Sequence, residues 1–254
     1  MSFAPECIAA LQKAEKIVFF SGAGVSAESG VPTFRDDLTG LWAQYDPMEL
    51  ATPEAFERQP ELVWGWYEWR RQRVRQAQPN AAHLTLAQWQ QNDAAEVICM
   101  TQNVDDLHER AGCTQVLHLH GSLFDSFCVA CAIAAESVPL SQNVAESGAP
   151  IEPPRCVHCQ ERIRPGVVWF GEALDGQILE QAFEQAADCD VCVVIGTSGV
   201  VQPAASIPLV AQESGARVLQ INPQATPIDA LADWNVRAPA ARVLPKLYEQ
   251  YLSG

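Results

Sequence analysis

An apolar run that opens into closely spaced glycines constrains the fold of this chain more than any other feature. Residues 17–20 are all apolar, and they lead into Gly22, Gly24 and Ala27. This pattern predicts a buried strand that turns sharply into a helix, with backbone N–H groups directed at a pyrophosphate. Gly22 permits the tight turn, Gly24 permits the close approach of a phosphate, and Ala27 permits close packing of the helix on the strand. Other glycine-rich strand-to-helix turns show the same pattern.

The residues that follow do not continue as they do in a dehydrogenase. A usual dinucleotide fold brings a second strand and an acidic ribose ligand about 20 residues later. Here Pro32-Thr33-Phe34-Arg35-Asp36 leads into a long insertion that is predicted to be irregular and helical. The dehydrogenase interpretation is therefore disfavoured, and cofactor reduction by this protein is not expected.

The unbroken segment GAGVSAESGVPTFRD, residues 22–36, resembles the signature of the sirtuins, the NAD-dependent protein deacylases. Later segments resemble the same family in the expected order along nearly the whole chain. The resemblance implies an NAD site in which the loop after residue 34 closes over the nucleotide. The cofactor-binding residues implied in this segment are Gly22, Ala23, Gly24, Thr33, Phe34 and Arg35.

The composition limits the partners and the compartment. With 254 residues, 48% of them hydrophobic, the chain can form one large domain, alone or with a smaller attached module. Its formal charge of −15 disfavours nonspecific binding to nucleic acid or anionic lipid and suits a cationic partner. We find no apolar run of about 18 residues and no secretory leader, so a cytoplasmic protein without a membrane partner is expected.

Two Cys-x-x-Cys pairs indicate a metal site without reference to any family. The four cysteines are Cys128, Cys131, Cys156 and Cys159. Their spacing matches a four-thiolate tetrahedral Zn²⁺ site, in which no position is left for water, so the metal is predicted to be structural. His158 is disfavoured as a competing ligand. The pair Cys189 and Cys192 is interpreted instead as small hydrophobic residues of a buried strand.

A second buried strand is predicted over residues 95–100, and it is followed by Gln102, Asn103 and Asp105. Ligands of open α/β sheets lie at the carboxyl ends of strands, where these polar side chains fall. A helix cap accounts equally well for Asn103 or Asp105. The sirtuin resemblance implies that all three residues bind nicotinamide and its ribose.

Two histidines stand in a third predicted strand, Val116–Ser122, on one face. His118 and His120 are compatible with metal binding or with burial, but we expect no carboxylate or third histidine beside them. The resemblance implies that His120 is the general base and that His118 is structural. An unperturbed imidazole pKa of about 6.5 suits a base at neutral pH.

A helical block is predicted over residues 53–78, with a cap at Thr52. Tyr67 and Arg70 share one face of it, whereas Arg71, Arg73 and Arg75 are expected to be solvated. The Tyr-x-x-Arg spacing is similar to that of the sirtuin branch that removes succinyl and malonyl groups. A guanidinium can bind a carboxylate through two hydrogen bonds, and a phenol can donate another. A neutral acetyl group has no carboxylate for either side chain to bind.

The second half of the chain supplies the remaining predicted contacts. Residues 164–172 form either a peptide-binding edge or an internal strand. The resemblance implies that the acyl-lysine peptide lies between two segments, whose residues are Val168, Phe170, Gly171 and Glu172 on one side and Gly199 and Val200 on the other. It also implies nucleotide contacts from Gly196, Thr197, Ser198, Asn222 and Ala240. Two positions depart from the family: Gly166 replaces a common His, and Ala238 replaces a Gly.

Together these features predict an α/β protein with a Rossmann-like parallel sheet and a smaller lobe, separated by a cleft. Residues 1–34, 80–125 and 165–254 form the predicted NAD-binding domain, residues 35–79 the cofactor loop and helical insertion, and residues 126–164 the zinc module.

The resemblance implies NAD-dependent deacylation of protein lysines, with a preference for acidic acyl groups. In that reaction the acyl oxygen attacks the ribose carbon that carries nicotinamide, and His120 deprotonates a ribose hydroxyl. Free lysine, nicotinamide and O-acyl-ADP-ribose are produced. A mono-ADP-ribosyltransferase and a nonenzymatic NAD-binding zinc module remain as alternatives. The sequence does not determine the oligomeric state.

Overall fold

The computed structural model describes residues 3–31, 44–92, 94–135 and 149–253. The predicted loop residues Thr33, Phe34 and Arg35 lie outside these ranges. The chain divides into two compact units. The first, here called the sheet unit, comprises Met1–Gly30, Pro79–Leu119 and Asp175–Gly254. The second, here called the insertion unit, comprises Val31–Gln78 and His120–Leu174.

Strands and helices alternate in the sheet unit, whereas helices dominate the first part of the insertion unit. The described strands are β1 (Lys16–Ser21), β2 (Glu96–Thr101), β3 (Val116–His118), β4 (Gly121–Cys128), β5 (Ile163–Val167), β6 (Val191–Ile195), β7 (Arg217–Ile221) and β8 (Trp234–Val236). The described α-helices are α1 (Pro5–Lys13), α2 (Gly24–Ala27), α3 (Pro47–Leu50), α4 (Pro53–Arg58), α5 (Pro60–Gln76), α6 (Ala81–Gln90), α7 (Leu107–Arg110), α8 (Gly176–Ala187), α9 (Ile207–Glu213) and α10 (Ala240–Leu252). Within the described ranges, no helix is both long and apolar enough to cross a bilayer.

The sheet unit contains a parallel sheet in the order β3-β2-β1-β6-β7-β8. The order reverses between β1 and β6, so their carboxyl ends form the switch point at which α/β sheets bind ligands. The side chains of Ile17, Val18, Phe19 and Phe20 in β1 are completely buried, as expected for a parallel strand covered on both faces. The predicted Rossmann-like fold is confirmed.

The insertion unit combines helices α3 to α5 with the antiparallel pair β4 and β5. The predicted helical block is two helices, because Gln59 precedes Pro60 and adopts non-helical angles, with φ −140° and ψ 64°. The predicted cap is confirmed, since Thr52 Oγ1 accepts a 3.1 Å hydrogen bond from Ala55 N.

Two sequence predictions about this region are wrong. The third strand ends at His118, because the chain then leaves the parallel sheet and Gly121 begins the antiparallel pair of the other unit. His118 and His120 therefore belong to different units. Arg71 is not solvated but buried. Its guanidinium bonds Glu68, and its Nε donates to the carbonyl of Leu123, so it joins α5 to β4.

Candidate active site

The predicted nucleotide-binding residues of the sheet unit all follow the carboxyl ends of parallel strands or begin a helix. Gly22 and Ala23 follow β1, Gln102, Asn103 and Asp105 follow β2, Gly196, Thr197 and Ser198 follow β6, Asn222 follows β7, and Ala240 begins α10. Because neighbouring parallel strands end at one edge of the sheet, these residues gather there as predicted.

Two glycine turns touch each other at the switch point. Gly24 N donates a 2.8 Å hydrogen bond to Gly196 O, and Gly22 N donates a 2.9 Å bond to Ile195 O. A Cβ added to Gly24 would lie 2.7 Å from Gly196 O, and Gly196 itself has φ +58°. Neither Gly24 nor Gly196 can therefore carry a side chain, and the N–H groups of Gly22 and Gly24 are used within the protein.

Thr197 ties together three strand ends. Gln102 Nε2 donates a 2.8 Å hydrogen bond to its Oγ1, and Asn222 Nδ2 donates a 2.7 Å bond to its carbonyl oxygen. The tips of β2, β6 and β7 are thereby held in one polar layer, although the three residues lie far apart in sequence.

Ser26 links the first glycine segment to the polar residues after β2. Its hydroxyl donates a 2.9 Å hydrogen bond to Asp105 Oδ2 and accepts a 3.0 Å bond from Asn103 Nδ2. Asp105 Oδ1 accepts from Leu107 N at 3.1 Å, an Asx-turn bond just before α7, whose N-cap residue is Asp106 and makes no side-chain cap bond. Sequence reasoning did not single out Ser26, although its place two residues after Gly24 was a signal.

A pair of buried histidines lies behind Ser26. The rings of His83 and His108 are 5.0 Å apart, and Ser21 Oγ contacts His108 Nε2 at 3.0 Å. Burial, reinforced by the proximity of His108, lowers the pKa of His83 to about 3. His83 is therefore a neutral ring at physiological pH, and its Nδ1 accepts a 3.2 Å hydrogen bond from Asn80 N.

Tyr67 and Arg70 come together in the insertion unit, as predicted. The Arg70 guanidinium carbon lies 5.5 Å from the centre of the Tyr67 ring and 4.9 Å from that of Trp66. Trp169 Nε1 donates a 2.8 Å hydrogen bond to the Tyr67 phenol oxygen, and both rings are buried. Burial raises the pKa of Tyr67 to about 12, against the opposing effect of Arg70.

Segment 168–172 is held by contacts within the insertion unit. Val168 N donates to His120 O at 2.9 Å, Phe170 N donates to Ala51 O at 2.9 Å, and Trp169 N donates to Glu172 Oε2 at 2.8 Å. These three N–H groups are thus used internally. Gly171 has φ +88°.

The other predicted peptide-binding residues, Gly199 and the exposed Val200, belong to the sheet unit.

Glu172 is half-buried and makes an ion pair. Arg164 donates to both of its carboxylate oxygens, at 2.5 and 2.8 Å. Burial alone would raise the pKa of Glu172, but the bonds from Arg164 and the Trp169 amide lower it below its ordinary value. The same guanidinium stacks 3.5 Å from the centre of the Trp169 ring. Arg164 and Glu172 therefore support the indole that bonds Tyr67.

Gly166 explains one departure from the family pattern. A Cβ at this position would lie 2.6 Å from the Cβ of Asp125 and 2.8 Å from its carbonyl carbon. The crossing of β4 and β5 is too close for the histidine that is common there.

The four predicted zinc ligands form a cluster. The Sγ atoms of Cys128, Cys131, Cys156 and Cys159 lie within 4.8 Å of one another. Three of the separations are 3.3, 3.7 and 3.8 Å, close to the edge of about 3.8 Å for a tetrahedron with Zn–S bonds of about 2.3 Å. Neither His158 nor the pair Cys189 and Cys192 joins this cluster in the described part of the chain.

The two knuckles repeat one backbone geometry. Ala130 N and His158 N each lie 3.4 Å from the first sulfur of their pair. Ala132 and Gln160, which directly follow the second cysteines, have φ of 56° and 63°. The donor set, its spacing and these N–H···S contacts fit Zn²⁺, and the predicted structural zinc site is confirmed.

The sequence model of the Sir2 family matches residues 22–203. The chain belongs to the Sir2 family. This match confirms the predicted family and the predicted class of enzyme.

Relatives of this sirtuin match over nearly its whole length. It is 52% identical over 244 residues to a Pseudomonas aeruginosa protein named NAD-dependent protein deacylase 1, covering 96% of this chain and 97% of that protein. A Mycobacterium tuberculosis protein named NAD-dependent protein deacylase is 47% identical over 236 residues, covering 92% and 97% of the two chains.

Solved structures agree with this assignment. A Sir2 homologue in complex with NAD superimposes with a TM-score of 0.89 at 43% identity, covering 99% of this chain and 95% of that one. A Sir2 protein bound to an acetylated peptide has a TM-score of 0.84 at 29% identity, with 98% of both chains covered.

Proposed function

We propose that this sirtuin is an NAD-dependent protein-lysine deacylase that prefers negatively charged acyl groups such as succinyl and malonyl. NAD-dependent protein deacylation is the activity for which its relatives are named, and NAD is its co-substrate. The preference for acidic acyl groups rests on one observation of this chain, the hydrogen bond from Trp169 to Tyr67 beside Arg70.

This bond determines which role the Tyr67 hydroxyl can play toward a substrate. Because the phenol oxygen accepts from the indole N–H, the phenol hydrogen is directed elsewhere and can be donated. With a pKa of about 12, Tyr67 keeps that hydrogen throughout the physiological range. A donor beside the positive charge of Arg70 suits a carboxylate, which only accepts hydrogen bonds when ionised.

Arg70 supplies the charge. It is less buried than Tyr67, and its guanidinium is packed against two aromatic rings, which limits the orientations available to it. We assign to Arg70 and Tyr67 together the binding of the distal carboxylate of a succinyl or malonyl group.

The sheet unit holds NAD in this proposal. The turns at Gly22–Gly24 and Gly196–Ser198 bind phosphates and ribose through backbone groups, and Gln102, Asn103 and Asp105 bind nicotinamide and its ribose. Asn222 and Ala240 lie toward the adenosine, and the loop residues Thr33, Phe34 and Arg35 close over the nucleotide. The Ser26 bonds support this assignment, because they orient both the Asn103 amide and the Asp105 carboxylate.

NAD supplies a ribose carbon from which nicotinamide can leave. His120 acts as the general base that takes a proton from a ribose hydroxyl, so that the acyl group is transferred and free lysine is released. Its carbonyl oxygen bonds Val168 N, which fixes the base relative to the proposed peptide-binding segment of the same unit. Exclusion of water protects the reacting ribose from hydrolysis.

The proposed partners are proteins or peptides that carry acylated lysines. The acetylated peptide bound to a related Sir2 protein supports this substrate class. The formal charge of −15 suits substrates that are basic around the modified lysine. A cytoplasmic location is also proposed, since none of the nine cysteines forms a disulfide and a four-thiolate site suits a reducing compartment.

Neither alternative class is favoured. Relatives that match this chain at 48 to 52% identity over nearly its whole length are named deacylases, not transferases to protein side chains. No feature of the described residues favours a nonenzymatic NAD-binding role.

The proposal is tested by nicotinamide release from NAD with matched acetyl-, succinyl- and malonyl-lysine peptides. We expect higher kcat/KM for the two acidic acyl peptides and loss of turnover in His120→Ala. A higher kcat/KM for acetyl-lysine would disprove the acyl preference but not the deacylase. No turnover of any peptide by zinc-loaded protein, or ADP-ribose on a side chain without deacylation, would disprove the deacylase.

A further inference from the structure

His118 has a hydrogen-bond acceptor at each of its ring nitrogens. Its Nδ1 lies 3.1 Å from the carbonyl oxygen of Asn103, and its Nε2 lies 2.6 Å from Glu109 Oε1. All three residues belong to the sheet unit: His118 ends β3, Asn103 follows β2, and Glu109 lies in α7. The sequence prediction that no carboxylate accompanies His118 is therefore wrong. It failed because α7 folds back beside β3.

These two contacts determine the protonation of the ring. A backbone carbonyl can only accept a hydrogen bond, so Nδ1 must carry a proton, and an ionised Glu109 likewise requires a proton on Nε2. The geometry thus selects the imidazolium form. Burial alone would lower the pKa of His118, but the bonds to Glu109 and Asn103 and the nearby charge of Asp105 raise it above its ordinary value.

The pKa of Glu109 is shifted in the direction that favours its ionised form. Burial alone would raise the pKa of this carboxyl, whereas its bond with His118, and more weakly the proximity of His108, lower it. The titratable groups that face the pair are Asp105, from the loop after β2, His108, from α7, and the thiols of Cys99, in β2, and Cys113, which follows α7.

The Asn103 carbonyl is one of three groups of this residue that are held in place. Its N–H donates a 3.0 Å bond to Thr101 Oγ1, its Nδ2 donates a 3.0 Å bond to Ser26 Oγ, and its carbonyl accepts from His118. With those three groups fixed, the side-chain oxygen Oδ1 is presented in a defined direction.

We propose that His118 and Glu109 are positioning residues that hold the loop after β2, which contains Asn103, in its NAD-binding conformation. This inference rests on the proposed function, in which Gln102, Asn103 and Asp105 bind nicotinamide and its ribose. Neither residue of the pair touches the reacting atoms. The imidazolium acts as a bridge between α7 and the loop, and it holds the loop through the Asn103 carbonyl.

The bridge depends on pH. When the ring loses one proton, a lone pair faces either the Asn103 carbonyl or the Glu109 carboxylate, and one hydrogen bond becomes a repulsion. Since the pKa of His118 is raised by folding, the bridge is complete at low pH and is lost as the pH rises through that pKa. NAD affinity is therefore expected to fall over the same range.

Glu109→Gln separates this effect from simple loss of structure. A glutamine can donate to Nε2 of a neutral ring, which leaves the proton on Nδ1 for Asn103. The variant therefore keeps the bridge but removes its pH dependence. His118→Phe removes the bridge at every pH. Glu213→Gln is the matched control, because it removes the same charge from an exposed position in α9 of the sheet unit and leaves the pair intact.

The experiment is calorimetric titration of zinc-loaded protein with NAD, without peptide, between about pH 6 and pH 9. We expect the wild-type Kd to rise about three- to tenfold with pH, as for the loss of one hydrogen bond. We expect Glu109→Gln to stay near the low-pH wild-type value, His118→Phe to bind weakly throughout, and Glu213→Gln to keep the wild-type slope. ¹⁵N NMR is expected to show an imidazolium at His118 near pH 6.

The inference is overturned if Glu109→Gln keeps the wild-type slope, if the wild-type Kd does not change with pH, or if His118 is neutral near pH 6. Nicotinamide release by the wild-type enzyme separates this failure from that of the proposed function. If the wild-type enzyme releases nicotinamide but gives any of those three results, only the positioning role is disproved. If the wild-type protein neither binds NAD nor releases nicotinamide, both the positioning role and the proposed function are disproved.

Discussion

The indole nitrogen of Trp169 donates a hydrogen bond of 2.8 Å to the phenol oxygen of Tyr67. Trp169 in turn lies against the guanidinium of Arg164, which is paired with Glu172. The Tyr67 hydroxyl is thus oriented by a chain of contacts that begins in the segment predicted to bind the peptide. The proposed acyl preference therefore depends also on residues that need not touch the acyl group.

Tyr67→Phe removes the proposed donor to the acyl carboxylate. We expect KM for a succinyl-lysine peptide to rise about tenfold, the range for a hydrogen bond to a charged group, with little change for acetyl-lysine. The variant also leaves the buried Trp169 N–H without its acceptor, at a cost of about 1 to 3 kcal/mol in the free energy of unfolding. Steady-state kinetics with both peptides and urea unfolding measure the two effects. Equal changes in KM for both peptides would contradict the assignment.

Arg70→Met removes the charge while keeping a long apolar side chain against the aromatic rings. KM for succinyl-lysine is expected to rise about 10- to 100-fold, and that for acetyl-lysine to change by less than about twofold. Arg73→Met is the matched control, because Arg73 lies in the same helix and also packs on an aromatic ring, that of Trp69. An equal rise in KM for succinyl-lysine in Arg70→Met and Arg73→Met would show that the rise reflects net charge and not a specific contact of Arg70.

The zinc cluster is expected to hold the insertion unit together. Cys131→Ser should abolish binding of one Zn²⁺ per chain and lower the unfolding temperature, because comparable sites contribute about 10–16 kcal/mol to folding. Cys189→Ala is expected to retain the metal, since Cys189 lies outside the cluster. Plasma mass spectrometry and thermal unfolding measure both results. Full zinc content in Cys131→Ser would contradict the four-thiolate site.

Acid is expected to destabilise the sheet unit through His83. Its folded pKa of about 3 lies below its unfolded value, so its contribution to stability is present at neutral pH and is lost as the pH falls below about 6.5. Between about pH 8 and pH 5.5 this amounts to about 1 kcal/mol. His83→Gln should reduce the loss by that amount in urea unfolding. Acid affects the zinc site equally in the wild type and in His83→Gln, so this effect cancels when the free energies of unfolding of the two proteins are subtracted at each pH. An identical pH dependence would contradict a buried neutral ring.

Local patterns in the sequence predicted the parts of the fold that depend on neighbouring residues. The buried β1, the glycine turn after it and the paired cysteines each depend on short spacings. The same holds for Tyr67 and Arg70, which are one helical turn apart. The sirtuin resemblance supplied the order of the remaining segments.

The errors concern contacts between elements. Arg71 was expected to be solvated because an arginine-rich helix usually is, yet Leu123 and Ser126 of β4 supply its partners. The spacing of Glu68 and Arg71 was a visible signal for that pair. His118 meets Glu109 only because α7 packs beside β3, and no short pattern contains that information. Ser26 gains its importance from Asn103 and Asp105, which lie on another strand end.

The most direct test compares succinyl-lysine with its neutral isostere, in which the distal carboxylate is an amide. The two peptides have the same size and shape, so their kcat/KM ratio isolates the charge. We predict a ratio of about 10 or more in the wild type and a ratio near 1 in Arg70→Met. Equal kcat/KM for the two peptides in the wild-type enzyme would contradict recognition of an acidic acyl group by Tyr67 and Arg70.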